Sequence, residues 1–230
     1  MIIGNGLLAN NLAKIDKNPN VVFFASGVSN SKCNDDYEFL REQRLLSNVI
    51  EENFDKKIVY FSTYSIADSS VSDYKYIHHK KEMEDLIKKK SNEYIIIRTS
   101  NIIGEIGNPN TIIRFLCQSI LDNKEIEIWK NSYRNILDID DLVTMVNELL
   151  IKKVSNITCY LVNPIELQVL DILSLCEKIL GKKARAKIVE RGLQFEYDKQ
   201  LSIEIFDKYN IQTNNYVESV VKKYYETIIK

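Results

Sequence analysis

A tyrosine and a lysine four positions apart are the side chains of this chain with the clearest chemical potential. In the run Tyr76-Ile77-His78-His79-Lys80, positions 76 and 80 would share one face of a helix. A neighbouring ammonium group favours the ionised phenol, so we expect Lys80 to lower the pKa of Tyr76 from its ordinary value of about 10. Tyr76 would then serve as a general acid or base near neutral pH. With 13 tyrosines in the chain, about one such pair arises by chance, so the pair needs support from its surroundings.

Two hydroxyl side chains stand ahead of this pair, at the end of an apolar run. Ile58-Val59-Tyr60-Phe61 is typical of a buried strand, and Ser62 and Thr63 follow directly. A hydroxyl at the end of that strand can face the same crevice as Tyr76. The sequence therefore predicts a cluster of proton-carrying side chains at one end of a sheet.

The start of the chain fits a phosphate-binding turn. The pattern G-x-G-x-x-A is formed by Gly4, Asn5, Gly6, Leu7, Leu8 and Ala9. The first glycine permits a tight turn, the second lets backbone approach a pyrophosphate, and the small last residue lets a helix sit close to the sheet. The free N–H groups of that helix would face the phosphates. The alternative is an ordinary turn between strand and helix. The acidic residue expected roughly 20 positions further on is missing, so the choice between NAD and NADP stays open.

The elements around these motifs alternate between strand and helix. Strands are predicted at 2–3, 21–24, 58–61 and 94–97, with helices at 7–14, 38–52 and 76–90. These strands are apolar on both faces, as a parallel sheet covered by helices requires. The order indicates an α/β class with a Rossmann-like, doubly wound parallel sheet.

The second half is predicted to be mixed. Helices are expected at 111–121, 140–151, 170–180 (ended by Gly181) and 216–229, and strands at 125–129, 158–162 and 186–190. No linker rich in proline or glycine separates the halves. We therefore expect a nucleotide-binding domain over residues 1–165, a small C-terminal lobe over 166–230, and a contribution of 106–134 to that lobe.

Composition excludes several classes of protein. The formal net charge is −1, which argues against a broad nucleic-acid-binding surface. A hydrophobic fraction of 45% excludes intrinsic disorder. No apolar run approaches the roughly 20 residues of a membrane span, and no signal peptide is recognised. The four cysteines are widely spaced, which predicts reduced thiols in a cytoplasmic protein and no metal site.

Taken together, the motifs resemble the extended short-chain dehydrogenases/reductases, the NAD-dependent epimerase/dehydratase family that modifies nucleotide sugars. Beyond the glycine turn and the Tyr–Lys pair, the similar segments are Ala25-Ser26-Gly27 after a strand, Phe61-Ser62-Thr63, the run from Arg98 to Gly104, and the run from Arg134 to Asp141. The resemblance covers nearly the whole chain. It implies NAD or NADP as cofactor and a nucleotide sugar as substrate.

The resemblance also implies roles for individual residues. Tyr76 would exchange a proton with the substrate oxygen. Lys80 would lower the pKa of Tyr76 and hold the nicotinamide ribose. Thr63, which we favour over Ser62 for this role, would form a hydrogen bond with the same substrate oxygen. The substrate side would comprise Ser62, Asn101 and Arg134, since a guanidinium pairs well with a diphosphate. The cofactor side would comprise Gly4, Asn5, Gly6, Leu7, Leu8, Ala25, Ser26, Gly27, Tyr76 and Lys80.

The family includes dehydratases, ketoreductases and epimerases. A 4,6-dehydratase carries an Asp-Glu pair after the catalytic threonine, but Thr63 is followed by Tyr64 and Ser65. That leaves a ketoreductase, which we favour because the cofactor domain looks abbreviated, or an epimerase that retains NAD. A dinucleotide-binding sensor without turnover usually lacks the tyrosine or the lysine, and both are present here.

Several departures from the family give testable expectations. The chain is short, and the stretch of about a dozen residues between the first helix and Val21 leaves no room for the usual strand–helix–strand unit on the adenosine side, so we expect a trimmed sheet. The N-x-x-G-T pattern of relatives is missing from 41–46. Arg98 is expected in a structural ion pair, His78 and His79 on an exposed helix surface, and Asp138 as a helix N-cap. Helices 38–52 and 76–90 correspond to those of a four-helix dimer interface in relatives, which predicts a homodimer.

Overall fold

The chain alternates short strands with helices, as a computed structural model shows for residues 1–105 and 111–225. The strands are β1 (Ile2–Ile3), β2 (Val21–Phe24), β3 (Lys57–Thr63), β4 (Glu93–Thr99), β5 (Asn101–Ile103), β6 (Glu125–Trp129), β7 (Tyr133–Arg134), β8 (Ile136–Asp138), β9 (Ile157–Leu161), β10 (Leu167–Gln168) and β11 (Arg185–Val189). The helices are α1 (Leu7–Leu12), α2 (Asp36–Glu52), α3 (Lys75–Lys90), α4 (Ile112–Leu121), α5 (Ile139–Ile151), α6 (Val169–Leu180), α7 (Gln200–Lys208) and α8 (Tyr216–Tyr225).

The central sheet has five strands in the order β1-β2-β3-β4-β9, and all neighbouring pairs are parallel. Strand β1 lies at one edge. A parallel crossover needs about a dozen residues or more, and residues 13–20 between α1 and β2 are too few to add strands beyond β1. The expected Rossmann-like fold, trimmed on the adenosine side, is therefore confirmed.

Both faces of the sheet are buried. Val22 and Phe24 of β2 pack with α2 and α3, whereas Val21 and Phe23 point to a larger core on the opposite face. Successive side chains of a strand alternate between faces, so an apolar strand such as β2 supplies both cores. This matches the prediction that helices cover the sheet on both sides.

The second half of the chain is tied together by three small two-stranded sheets. Strand β5 pairs with β8 in parallel, β6 pairs with β11 in parallel, and β7 pairs with β10 in antiparallel fashion. The larger core includes Val59 of the central sheet and Val220 of α8. The proposed domain boundaries at 165 and 166 remain predictions, and residues 106–110 of the segment 106–134 lie outside the described part of the chain.

Local sequence signals place some of the helix ends. Gly181 ends α6 with φ of 61°, a left-handed conformation that glycine adopts readily. Asp138 caps α5 by accepting a hydrogen bond from the backbone N–H of Asp140, as predicted. Across the described residues, no helix combines the length and apolar character needed to cross a membrane.

Candidate active site

Thr63 and Tyr76 meet at the carboxyl end of the central sheet. Thr63 is the last residue of β3, and Tyr76 lies in the first turn of α3. The Thr63 hydroxyl lowers the pKa of the nearby Tyr76 phenol, and both residues are buried, at 8% and 6% exposure. The fold therefore brings these two hydroxyl groups close together, as the sequence predicts. Ligands of open α/β sheets bind at this edge.

The protonation of Tyr76 differs from the expectation. Burial raises the pKa of the Tyr76 phenol far above its usual range, and the negative charge of Glu42 raises it further, while the hydrogen bond with Thr63 lowers it. The prediction that Lys80 lowers the pKa of Tyr76 is wrong for this arrangement. The physical reason is first the burial of the phenol and second the negative charge of Glu42, which lies beside the ammonium.

Lys80 is almost fully buried and makes three close polar contacts. Its Nζ lies 2.9 Å and 3.3 Å from the two carboxylate oxygens of Glu42, and 3.0 Å from the hydroxyl of Tyr60. An ammonium group has three N–H donors, and these contacts use them. The same Nζ lies 5.8 Å from the ring centroid of Tyr76. Binding of a cofactor ribose by Lys80 remains a prediction. To bind the ribose, Lys80 would have to give up one of these three contacts.

Glu42 is the centre of this buried cluster. Its carboxylate accepts hydrogen bonds from the Tyr60 hydroxyl at 2.6 Å and from the Val28 backbone N–H at 2.6 Å, and it lies 2.9 Å from Nε2 of His79. Burial alone would raise the pKa of Glu42, but the charge of Lys80 and these hydrogen bonds outweigh it and hold the pKa well below its usual range. Glu42 is therefore a carboxylate at neutral pH.

His79 corrects another expectation. We predicted an exposed position for both histidines of the motif, and His78 is exposed. His79 is instead 5% exposed, stacks on Phe39 at 4.7 Å between ring centroids, and contacts Glu42. It lies on the side of α3 that faces α2, so helix packing buries it.

The glycine turn and the loop after β2 approach each other closely. Gly4 has φ of +132°, and a Cβ built there would lie 2.5 Å from the carbonyl oxygen of Ala25. A Cβ on Gly6 would meet nothing within 4 Å, so this position borders open space. Gly27 lies against the buried ion pair, since a Cβ there would be 2.8 Å from both Glu42 Oε1 and Lys80 Nζ. Asn5 is exposed, and Leu7 and Leu8 are partly buried.

Alanine substitutions at Gly4 and Gly6 should have different effects on stability and on dinucleotide binding. We expect Gly4→Ala to cost about 1–3 kcal/mol of unfolding free energy, because the backbone is strained for an L-residue and the methyl would clash with Ala25. Gly6→Ala should change stability by less than about 0.5 kcal/mol but weaken dinucleotide binding, because its methyl projects into the open space. Urea denaturation and dinucleotide titration check this. Equal stability losses in both variants would contradict it.

Ser62 lies away from Thr63 and Tyr76. Its hydroxyl donates to Glu84 at 2.7 Å on the face of the sheet covered by α3, and Ser62 is 6% exposed. Adjacent strand residues point to opposite faces, which explains the separation from Thr63. The predicted contact of Ser62 with substrate is not supported by this placement.

Arg98 belongs to the same buried cluster as Ser62. Its guanidinium pairs with Glu84 through two contacts of 3.0 Å and 2.7 Å and donates to the hydroxyl of Tyr160 at 2.9 Å. Hydrogen bonding to Glu84 raises the pKa of Arg98 above its already high ordinary value. The expected structural ion pair is confirmed.

The fold brings Asn101 and Arg134 together. The amide of Asn101 donates to the carbonyl oxygen of Asn135 at 2.9 Å, and Arg134 is the preceding residue. The guanidinium of Arg134 donates to the carbonyl of Tyr133 at 2.7 Å and is partly exposed. Among the described residues, no acidic side chain is hydrogen-bonded to Asn101 or Arg134. Their contact with a diphosphate stays a prediction.

An aromatic cluster beside Thr63 was not anticipated from the sequence. Tyr64 follows Thr63, and its ring lies 5.4 Å from Phe195 and 5.6 Å from Tyr197. Burial raises the pKa of Tyr64 to about 12, although the charge of Arg134 and a hydrogen bond with the Asn135 backbone lower it. The Tyr197 hydroxyl donates to Glu166 at 2.8 Å. Residues of the irregular stretch before α7 thus reach the edge of the site, which only the tertiary structure reveals.

Comparisons with known proteins support the fold. No family model and no curated protein sequence matches the chain. Among solved structures, the protein RMD from Pseudomonas aeruginosa complexed with NADPH is 12% identical, with a TM-score of 0.69 and coverage of 96% of each chain. A dTDP-4-dehydrorhamnose reductase from Clostridium acetobutylicum is 16% identical, with a TM-score of 0.66 and coverage of 98% of this chain and 86% of that one. The UDP-glucose 4-epimerase of Thermus thermophilus in complex with NAD is 12% identical, with a TM-score of 0.60 and coverage of 86% and 74%.

These likenesses define the class of fold. The chain shares the Rossmann-like architecture of these solved structures, with a central sheet of five parallel strands. Sequence identities of this size establish the fold and leave the reaction to be argued from the site.

Proposed function

We propose that this protein is an NAD(P)-dependent oxidoreductase that acts on a nucleotide-linked sugar, specifically a ketoreductase of a nucleotide-diphosphate keto sugar. The observation that carries the proposal is the placement of Thr63 and Tyr76 together at the carboxyl edge of the sheet, where the glycine turn also lies. RMD was solved with NADPH and the epimerase with NAD, and a reductase of a dTDP-linked sugar shares the fold.

The residues at the turn fit a dinucleotide. Gly4 allows the contact with Ala25, and Gly6 leaves room for a backbone approach to a pyrophosphate. Gly4, Asn5, Gly6, Leu7 and Leu8 would hold the phosphates, and Ala25, Ser26 and Gly27 would border the nicotinamide half. When bound, the nicotinamide supplies hydride to the carbonyl carbon of the substrate. Which of NAD and NADP is used is left to experiment.

Tyr76 acts in this proposal as the proton donor. Because burial and Glu42 raise its pKa, the phenol is neutral at pH 7 and can protonate the oxygen of a keto sugar as that carbon is reduced. Thr63 donates a hydrogen bond to the same oxygen and orients it toward Tyr76. Arg134 and Asn101 would bind the diphosphate of the substrate, and the charge of the guanidinium suits that group.

The trimmed sheet favours reductase over epimerase. Strand β1 is an edge strand, so no further strand of the described chain builds a wall beside the adenosine half of a dinucleotide. A smaller binding surface retains a cofactor less firmly, and a reductase must exchange its cofactor at every turnover. An epimerase, by contrast, re-oxidises and re-reduces its sugar with one retained dinucleotide.

A cofactor and substrate panel tests the proposed function. We expect purified protein to contain no stoichiometric dinucleotide, to gain thermal stability from NADH or NADPH, and to oxidise one of them in proportion to an added UDP-, GDP- or dTDP-linked keto sugar. Protein that carries NAD and interconverts sugar epimers without added cofactor would show the epimerase instead. Absence of any dinucleotide binding would contradict both.

We also propose that the protein forms a homodimer and is located in the cytoplasm. Apolar side chains stand exposed on or beside the two helices concerned, with Tyr37 at 72% and Leu40 at 47% on α2 and Tyr74 at 51% ahead of α3. Burial of such side chains favours self-association. Sedimentation of the purified protein measures the oligomeric state.

A further inference from the structure

We propose that Asn135 is a positioning residue of this site, which holds Asn101 and Arg134 in place on the substrate side and joins them to residues 191–199. The inference rests on the proposed function, because it concerns the residues that would bind the diphosphate of the substrate. Asn135 lies between β7 and β8 and is fully buried, at 0% exposure. The polar atoms of a buried amide need partners, and those of Asn135 connect β5, the end of β9 and the stretch before α7.

The side chain of Asn135 is fixed at both ends. Its Nδ2 donates to the carbonyl oxygen of Asn163 at 2.7 Å and to the hydroxyl of Tyr197 at 3.1 Å. Its Oδ1 accepts a hydrogen bond from the backbone N–H of Asn163 at 2.9 Å. Both N–H donors and the oxygen are therefore used, and exchanging the two ends of the amide would place two acceptors together at the Asn163 carbonyl. Such a fully satisfied buried network holds one geometry.

The backbone of Asn135 holds the two residues of the substrate side. Its carbonyl oxygen accepts hydrogen bonds from the side-chain Nδ2 of Asn101 at 2.9 Å and from the Asn101 backbone N–H at 3.3 Å. Arg134 precedes Asn135 directly and pairs with Leu167 in the β7–β10 ladder. The backbone positions of Asn101 and Arg134 are therefore both set next to one buried residue. A binding site keeps its geometry when such supporting hydrogen bonds lock its contact residues.

Tyr197 extends this network to the C-terminal half of the chain. Its hydroxyl donates to Glu166 at 2.8 Å and accepts from Asn135, so it is engaged within the protein rather than turned to a ligand. Its ring lies 5.6 Å from the ring of Tyr64, the residue after Thr63. Asn135 thus links the substrate side to the aromatic side chains beside Thr63.

Residues 191–199 form no helix or strand, so individual contacts place them. Near the start of this stretch, the carbonyl oxygen of Arg191 accepts a hydrogen bond from the Asn131 backbone N–H at 2.9 Å. Near its end, Tyr197 provides a second anchor through its hydrogen bond with Asn135. Removal of the Tyr197 hydroxyl should loosen this stretch and the Asn135 amide together, and with them the placement of Arg134.

Calorimetric titration with UDP, GDP and dTDP, and separately with NADH and NADPH, tests the inference without any turnover. In Tyr197→Phe we expect about 3- to 10-fold weaker binding of the nucleoside diphosphate that the wild type binds, because one hydrogen bond of the network is lost. Asn135→Ala should weaken it by about 10-fold or more, since the whole side-chain network is removed, and the double variant should bind no more weakly than Asn135→Ala. Dinucleotide affinity should be unchanged in all three variants.

The matched control is Tyr209→Phe. The Tyr209 hydroxyl also contacts a carboxylate, that of Glu148 at 2.8 Å, but Tyr209 lies at the C-terminal end of α7. We expect this variant to bind both kinds of ligand like the wild type. In an active protein, Tyr197→Phe should raise KM for the nucleotide sugar with little change in kcat, because the diphosphate is bound equally in the ground and transition states. A residue that only stabilises the fold would not produce this division.

The outcomes separate the inference from the proposed function. If Tyr197→Phe binds nucleoside diphosphate like the wild type, or if the variants lose nucleoside diphosphate and dinucleotide affinity equally, the role of Asn135 is overturned. The same holds if the wild type binds none of the three nucleoside diphosphates, whereas dinucleotide binding and keto-sugar reduction still judge the proposed function. Should Asn135→Ala fail to fold, Tyr197→Phe, which keeps its ring, decides. Selectively weakened nucleoside diphosphate binding in variants of a protein that reduces no keto sugar would overturn the proposed reductase and leave the role of Asn135 standing.

Discussion

Tyr76→Phe is expected to lower keto-sugar reduction by about 10²–10⁴-fold, the usual contribution of a positioned general acid. The variant keeps the ring, which packs with Val28 and Ile77, and loses only the hydroxyl beside Thr63. Folding and dinucleotide affinity should therefore remain close to those of the wild type. Steady-state kinetics and dinucleotide titration measure the two effects separately.

Tyr74→Phe provides the matched control for this substitution. Tyr74 lies two positions earlier and is 51% exposed, so its hydroxyl should have no measurable effect on turnover. A Tyr76→Phe protein with wild-type activity would remove Tyr76 from the mechanism. If the wild type has no turnover and both proteins bind dinucleotide equally, the chain is a sensor of the cofactor rather than an enzyme.

Glu42→Leu is expected to cost about 3–5 kcal/mol of unfolding free energy, because it leaves the Lys80 ammonium buried without its counter-ion. The Glu42→Leu/Lys80→Met double variant should recover much of this loss, since neither charge is then buried alone. Urea denaturation of the four proteins in the cycle gives the coupling energy. Additive losses in the double variant would contradict the coupling.

An exposed ion pair supplies the control for Glu42→Leu. Lys90 and Glu51 are 3.0 Å apart, with side chains 41% and 64% exposed, and join the same two helices. Glu51→Gln should change stability by at most about 1 kcal/mol, because solvent screens such pairs. The contrast between the two sites isolates the effect of burial.

Acid titration of stability should also reveal Glu42. Its pKa is lowered in the folded protein, so its contribution is fully present above the unfolded pKa of about 4.3 and is lost as the pH falls through the folded value. Wild-type stability should therefore decrease more steeply below about pH 4 than that of Glu42→Leu. Parallel pH profiles would show that the carboxylate is not stabilised by folding.

The sequence predicted the strands and helices around the site well, because the sequence signals for these elements are local. The apolar runs at β2, β3 and β4 identify buried parallel strands, and spacing along the chain excludes strands beyond β1. Short elements such as β5, β7 and β10 were missed, since two or three residues carry no periodic pattern. Helix α7 was also missed and is fixed by packing on β9 and α5.

The sequence carries one signal for the buried position of Glu42. Glu42, Leu46 and Ile50 recur at helical spacing, and all three are buried, so the carboxylate lies on the apolar face of α2. An acidic residue on such a face requires a buried partner. The sequence does not say which cation it meets, because Lys80 lies 38 positions away on another helix.

By itself, the sequence determined the trimmed parallel sheet, the glycine turn and the positions of Thr63 and Tyr76, because each depends on local pattern and chain length. Only the tertiary structure decided the electrostatics of the motif. Lys80 is paired with Glu42 and His79 is buried beside it, and burial together with the charge of Glu42 raises rather than lowers the pKa of Tyr76. Burial and the pairing of charges distant in sequence are properties of packing, and they set the protonation state on which the proposed chemistry depends.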